Sequence, residues 1–282
     1  MKTARTALWR LRSGARVTPL RKIWVWRRHL GLEPTDTFLA CYPRSGSNWV
    51  QFLVYQSLTN TDPTFESVRQ FSPYLGGQRK ALRLLPGGGR FVKTHEPYQK
   101  VYRRGILLIR DPRDVVLSDF RFLRMRGDYV AGFPEFVTQF INGRAHGFGS
   151  WKQQVETWLN SGLEHKDLLK IRFEDLHRDP PSHLAGILAF LGIDSTGLDL
   201  QTICGNNSIE RMRAKEDLGE GAPSRRDARY RFVNRGLVGE WAQELTADQI
   251  EQIEETFAST MRKLSYLNWQ QEPPSWKTAQ RE

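Results

Sequence analysis

The stretch Phe38-Leu-Ala-Cys-Tyr-Pro-Arg-Ser-Gly-Ser-Asn-Trp49 constrains the fold more than any other part of this chain. It opens with a short apolar run, Thr37–Tyr42, which reads as a buried strand. Pro43 then fixes a turn, and Ser47–Leu58 follows a helical pattern. A buried strand passing straight into a helix is the repeating unit of parallel sheets covered on both faces. The unit recurs. Arg90–Thr94 and Gly105–Arg110 read as further strands, the second followed by a helix from about Arg113 to Met125. Leu168–Phe173 is another strand, with a helix after Pro180-Pro181 that runs through Leu191. A last helix spans 247–264, with Thr246 and Gln249 placed as a capping box. Ile250, Ile253, Phe257, Met261 and Leu264 line one face of it, as a packing helix requires. The predicted fold class is α/β: a single domain with a central, mostly parallel sheet flanked by helices.

Charge is spread unevenly over this pattern. The formal net charge is +11, yet residues 1–32 hold nine of the 42 basic residues and no acid. The other 250 residues carry 33 basic against 31 acidic side chains, so the body is close to neutral and no nucleic-acid partner is expected. The chain divides into a basic arm over 1–35, a folded domain over 36–267 and a polar tail over 268–282. In the arm, Ala4, Ala7, Leu8 and Leu11 share one helical face, and Leu20, Ile23, Trp24 and Trp26 continue among further basic residues. Tryptophan beside arginine and lysine suits an anionic membrane surface, each basic residue contributing about 1 kcal/mol near it. Residues 1–30 are therefore a candidate membrane contact. The plainer uses of the arm are packing on the domain or steering a polyanionic substrate. No apolar run approaches the about 20 residues that cross a bilayer, and arginines interrupt the core a secretory signal needs. Cys41 and Cys204 stand apart without paired spacing, which favours a reducing, cytoplasmic location, at the inner membrane surface if the arm docks. The histidines (His29, His95, His146, His165, His177, His183) show no zinc-ligand spacing, so no metal is expected.

Loops at strand ends of such a sheet bind anions, because the first amides of the following helix are unpaired and its dipole favours negative charge. In the first turn, Gly46 permits close backbone approach, Ser45, Ser47 and Asn48 add short donors, and Arg44 adds a permanent charge. The Walker pattern is absent. An ordinary serine-capped turn would carry the same features, so its neighbours must decide. Ile106-Leu-Leu-Ile-Arg-Asp-Pro-Arg-Asp-Val-Val-Leu-Ser118 is again strand, charged turn and helix. Arg110 leaves the strand end there and Ser118 lies along the helix, while Arg113 and Asp114 read as a surface salt-bridge cluster. Phe91-Val-Lys-Thr-His-Glu-Pro97 ends a third strand, with Lys93 and His95 on one face by the period of two.

In this order the segments resemble the PAPS-dependent sulfotransferases, where PAPS is 3′-phosphoadenosine 5′-phosphosulfate. Residues 42–49 are similar to that family's Tyr-Pro-Lys-Ser-Gly-Thr-Thr-Trp, with Arg44 in place of Lys. Residues 110–118 resemble its Arg-Asn/Asp-Pro-x-Asp-x-x-x-Ser, and 93–97 its Lys-Thr-His-x-Pro. Phe232-Val-Asn-Arg-Gly-Leu-Val-Gly-Glu-Trp241 resembles its Arg-Lys-Gly-x-x-Gly-Asp-Trp lid. The resemblance implies a P-loop-like nucleotide-binding core and sulfuryl transfer from PAPS to a hydroxyl or amine of an acceptor, leaving 3′,5′-adenosine bisphosphate. A membrane-docked arm would favour a lipid or glycolipid as that acceptor, with a small metabolite as the other class. It implies that Arg44, Ser45, Gly46, Ser47, Asn48 and Trp49 hold the 5′-phosphosulfate, and that Arg110 and Ser118 hold the 3′-phosphate. His95 becomes the general base, with Glu96 as its rival. Arg44 cannot hand over a proton, so it acts by charge, and Lys93 can hold sulfuryl oxygens. Phe232, Asn234, Arg235 and Gly236 fall in the lid, with Asn234 replacing an arginine that usually reaches the 3′-phosphate, which weakens or reroutes that contact. Phe173 stands in place of a tyrosine beside adenine, and Asn207, Ser208 and Met212 match a further adenosine-contacting segment. Glu174 and Asp175 read as helix-start acids. Of the family's dimer motif only Thr246 and Glu251 remain, so the oligomeric state stays open. Acceptor contacts are expected from loops over 60–90 and 123–150, with Gly87–Gly89 as a turn near the entrance. Two alternatives stand beside this reading: a P-loop-type small-molecule kinase, and a non-catalytic, membrane-associated nucleotide-binding protein.

Overall fold

The structure, a computed structural model, describes residues 19–219 and 221–267. Most of the basic arm and the polar tail from 268 onward lie outside the described residues. The described chain opens with helix α1 (Pro19–His29), followed by strand β1 (Thr37–Cys41), α2 (Ser47–Thr59) and α3 (Phe65–Phe71). Strands β2 (Phe91–Thr94) and β3 (Gly105–Ile109) come next, then α4 (Pro112–Arg126), α5 (Phe133–Ile141) and α6 (Trp151–Leu159). Strand β4 (Leu168–Arg172) leads into α7 (Phe173–Arg178), α8 (Pro180–Leu191), α9 (Leu200–Asn206) and α10 (Ile209–Asp217). The short α11 (Trp241–Glu244) and the long α12 (Ala247–Lys263) complete the described part.

The four strands form one parallel sheet in the order β2-β1-β3-β4. Every residue of β1 and β3 is buried, as continuous apolar runs demand when helices cover both faces. Alternate residues feed two cores. Phe38, Ala40 and Leu107 join Trp151, Trp158 and Phe257 on one face, while Leu39, Cys41, Ile106 and Leu108 join Leu53, Leu188 and Phe91 on the other. The helix predicted at the end of the chain is α12, with the Thr246–Gln249 capping box in place and Ile253, Phe257 and Met261 buried.

Strand order reverses between β1 and β3, and in open parallel sheets the crevice for ligands lies at the carboxyl ends of the strands on either side of such a switch. Arg44 follows β1 and Arg110 follows β3, so topology alone brings the two charged turns together. Three expectations need correction. Arg113 and Asp114 are buried, at 4% and 2% exposure, and hold the fold together from inside. Arg113 pairs with Asp111 and Glu254 and stacks on Trp241, and Asp114 accepts the backbone N–H groups of Gly239 and Trp241. The segments 60–90 and 123–150 are not open loops, because α3 and α5 occupy parts of them. Gly87–Gly89 precede β2, at the end of the strands opposite the charged turns, and Gly89 packs against the Thr35 carbonyl.

Candidate active site

Proline at 43 and two left-handed residues shape the first turn. Arg44 has φ 69° and Gly46 φ 99°. Glycine adopts this freely, whereas an arginine there stores strain of the kind that clusters at functional sites. Gly46 is the N-cap of α2, no side chain caps the helix, and its first residues, Ser47 and Asn48, line the cleft. A Cβ on Gly46 would sit 2.6 Å from the Phe173 ring, so the loop lies flat on that aromatic.

Residues from each expected segment line one cleft of about 850 Å³, within the size range of small-molecule sites. Arg44, Gly46, Ser47, Asn48 and Trp49 line it from the first turn, and Arg110 and Ser118 from the second. Lys93 and His95 line it from the end of β2, and Phe232, Asn234, Arg235 and Gly236 from the segment above. Phe173, Asn207, Ser208 and Met212 complete the set. Ser45 does not line the cleft wall; it is buried at 1%, and its hydroxyl has no partner among the described residues.

The two turns touch. Arg44 Nε donates to Ser118 Oγ at 3.3 Å, and Arg110 Nη1 donates to the Arg44 carbonyl at 3.3 Å. Both guanidiniums also hold the segment over the cleft: Arg44 Nη2 donates to the Phe232 carbonyl at 2.8 Å and Arg110 Nη2 to the Leu237 carbonyl at 2.9 Å. Arg110 lies over the Phe173 ring at 4.6 Å, and Arg44 over Phe122 and Phe232. Burial pulls the Arg44 pKa down to about 10, so it stays charged near neutrality. The buried Nε of Arg110 and Nε1 of Trp49 have no partner among the described residues. Buried donors without partners are uncommon, and both belong to residues that line the cleft.

At the end of β2, Lys93 Nζ donates to Asn48 Oδ1 at 2.8 Å, and burial brings its pKa down to about 8. His95 Nδ1 lies 2.8 Å from the Cys41 carbonyl. A carbonyl only accepts, so Nδ1 carries the proton and Nε2 is left as a lone-pair acceptor. Burial first, then the Lys93 charge, hold the His95 pKa well below the usual imidazole range, so the ring is neutral at pH 7. Tyr74 and Phe148 pack on the ring at centroid distances of 5.3 and 5.7 Å. Glu96 turns the other way. It is 2% exposed, pairs with Arg28 of α1 at 3.1 Å and is not among the residues lining the cleft.

Other expected residues have plainer surroundings. Ser208 caps α10, and Asn207 is held by Gln56 and the Ile203 carbonyl. Arg235 pairs with Glu240 at 2.9 Å and Glu244 at 3.3 Å. Glu174 starts α7, as expected of a helix-start acid; it accepts from the Asp111 amide and the Tyr266 hydroxyl, and burial raises its pKa to about 7. Sequence reasoning passed over Arg213, Phe122 and His177, which also line the cleft. Arg213 had a readable signal, standing four residues after Ile209 on one face of the helix that Ser208 caps.

Two charged turns at adjacent strand ends, with a neutral buried imidazole beside them, share one cleft. The sulfotransferase domain family matches residues 34–265, and the chain belongs to that family. It is 23% identical over 264 residues to cytosolic sulfotransferase 1 of Danio rerio, covering 85% of this chain and 87% of that protein. It is 26% identical over 271 residues to sulfotransferase 1C2 of Homo sapiens, covering 86% and 88%. Among solved structures, it is similar to retinol dehydratase in complex with retinol and PAP, with a TM-score of 0.67, 23% identity and 83% of each chain covered. It is also similar to mouse sulfotransferase SULT7A1 complexed with PAP, with a TM-score of 0.65, 22% identity and coverage of 84% and 87%. Likeness at these identities speaks for the fold. Among the described residues, no group of three or more His, Cys, Asp or Glu could hold a metal ion, and no helix is long and apolar enough to cross a membrane.

Proposed function

We propose that the cleft binds PAPS and that the protein transfers its sulfuryl group to an acceptor hydroxyl, with His95 as general base. The observation that carries this reading is the meeting of Arg44, Arg110 and Ser118 in one cleft with His95. The residues present fit a bisphosphorylated nucleotide: Arg44 without a carboxylate within 4.0 Å among the described residues, Arg110 with only Asp114 at 3.9 Å, no side-chain cap at the start of α2, and Phe173 as an aromatic floor beneath Gly46. PAPS supplies the activated sulfuryl group and departs as 3′,5′-adenosine bisphosphate.

Each side chain has a defined task on this reading. His95 Nε2 takes the proton of the acceptor hydroxyl as its oxygen bonds to sulfur, while Nδ1 stays fixed on the Cys41 carbonyl. Arg44 and Lys93 hold positive charge where the leaving oxygen becomes negative, and charge placed in advance costs no reorganisation. The α2 amides, Ser47, Asn48 and Trp49 position the phosphosulfate end, and Arg110 and Ser118 the 3′-phosphate, while Ser45, buried behind the turn, is left out of the contact set. Phe173, Ser208, Phe232, Asn234, Arg235 and Gly236 enclose the nucleoside. Glu96 is tied to Arg28, which disfavours it as the base.

The domain division at 35 and 267 belongs to the same reading, as does a cytoplasmic location with the arm on an anionic membrane surface. One observation supports the last part: α1 exposes Trp24 at 55% and Trp26 at 62% to solvent, beside Arg27. Arg28 and His29 of the same helix pack on the domain through Glu96, Tyr74 and Tyr102, so both uses of the arm are compatible. A Trp24→Ser/Trp26→Ser variant that still sediments fully with phosphatidylglycerol vesicles would end the membrane reading. For catalysis, the test is transfer of 35S from labelled PAPS into extract acceptors. His95→Asn is expected to slow transfer by about 10²- to 10⁴-fold with nucleotide affinity kept. Full activity in that variant would remove the base role.

A further inference from the structure

Five Lys or Arg side chains line the cleft: Arg44, Lys93, Arg110, Arg213 and Arg235. They differ in what already holds them. Arg235 is taken by two carboxylates, Glu240 and Glu244. Asp114 lies 3.9 Å from Arg110, but its oxygens are engaged by the Gly239 and Trp241 amides. Arg213 has no carboxylate within 4.0 Å among the described residues. Its Nε donates to the Val233 carbonyl at 3.4 Å, and its two terminal nitrogens have no hydrogen-bond partner among the described residues. Glu210, one turn earlier, is open to solvent and acts on it only at longer range.

The place of Arg213 gives this free fork a meaning. Val233 lies between Phe232, whose carbonyl is held by the same Arg44 that touches Ser118, and Asn234, which brings no charge to the cleft. Arg110 holds the Leu237 carbonyl at the other end of the segment. Three arginines thus gather around one stretch of backbone, and only Arg213 is both unpaired and on the side of the missing charge. We infer that Arg213 is a specificity-determining residue that reads the 3′-phosphate of the nucleotide in place of a cation at position 234. The inference rests on the PAPS reading, and its test separates the two.

The experiment measures the affinity of 3′,5′-adenosine bisphosphate and of adenosine 5′-monophosphate by calorimetry, for the wild type and for Arg213→Gln. The wild type is expected to prefer the bisphosphate. Arg213→Gln should lose about 10- to 100-fold of that preference, the range of one charge-assisted hydrogen bond, with 5′-monophosphate affinity unchanged. Arg213→Lys should recover part of it, and Asn234→Arg in the Arg213→Gln background should restore it. A wild type with no preference contradicts the PAPS reading itself. A wild type that prefers the bisphosphate while Arg213→Gln leaves the ratio intact, by weakening both nucleotides equally or neither, overturns the assignment of Arg213. The double variant decides the matter if the single one is poorly folded.

Discussion

Replacing Gly46 by alanine tests the first turn at its tightest point. Its φ of 99° lies in the left-handed region, where a Cβ costs about 1–2 kcal/mol. The new Cβ would also stand 2.6 and 2.7 Å from two atoms of the Phe173 ring. To reach ordinary contact at 3.4 Å the ring must retreat by about 0.8 Å. That ring carries the Arg110 guanidinium at 4.6 Å, so its retreat forfeits part of a cation–π contact worth about 0.5–2 kcal/mol. The loop can relieve the strain by opening when the cleft is empty but must close again around a phosphate. Most of the loss should therefore fall on binding: about 1.5–3 kcal/mol, or roughly 10- to 150-fold in the Kd for 3′,5′-adenosine bisphosphate, with a small drop in Tm. Calorimetry and thermal melts on the same samples give both quantities. A Kd within threefold of wild type, or a loss that appears entirely in Tm, would refute the argument that the flat turn exists to hold the anion.

Two further outcomes follow from the charges beside His95. Lys93 must be protonated to act and has a pKa of about 8 in the free protein, so kcat/KM for the donor should fall as pH rises through 8. On the low side, His95 stays neutral until well below pH 6.5, and Lys93→Arg should move the falling limb upward by more than one pH unit. An unchanged limb in that variant would mean another group titrates there. Glu96→Gln leaves Arg28 with a weaker partner at a site of 11% and 2% exposure, so Tm should fall by several degrees. Turnover should stay within about threefold, because the carboxylate is not the base; a folded Glu96→Gln protein without activity would reverse that assignment.

Much of this arrangement is legible in the residues alone, for a physical reason. Buried strands and their following turns are local features: Phe38–Cys41 must be apolar on both faces, and Pro43 and Gly46 announce the turn. The prediction that Arg44 and Arg110 share a cleft needs only parallel pairing of β1 with β3, which the strand–helix alternation implies. What stayed hidden depends on contacts distant in sequence. Asp114 looked like a surface acid because its partners, the Gly239 and Trp241 amides, lie 125 and 127 positions away. Glu96 looked like a rival base because nothing local shows that Arg28, 68 positions earlier, claims it. Phe173 was read as the last residue of β4 because it is a strand former; it opens α7 instead, and its place is decided by its ring packing on Gly46, Trp49 and Arg110.

The most direct measurement is a calorimetric titration of the full-length protein, free of added metal, with 3′,5′-adenosine bisphosphate, then with ATP and Mg²⁺. The account predicts saturable one-to-one binding of the bisphosphate that weakens sharply in Arg110→Gln, and at least tenfold poorer binding of ATP with Mg²⁺. Preference for ATP with Mg²⁺ would make the cleft a kinase site, and no binding of either nucleotide would leave it without a donor.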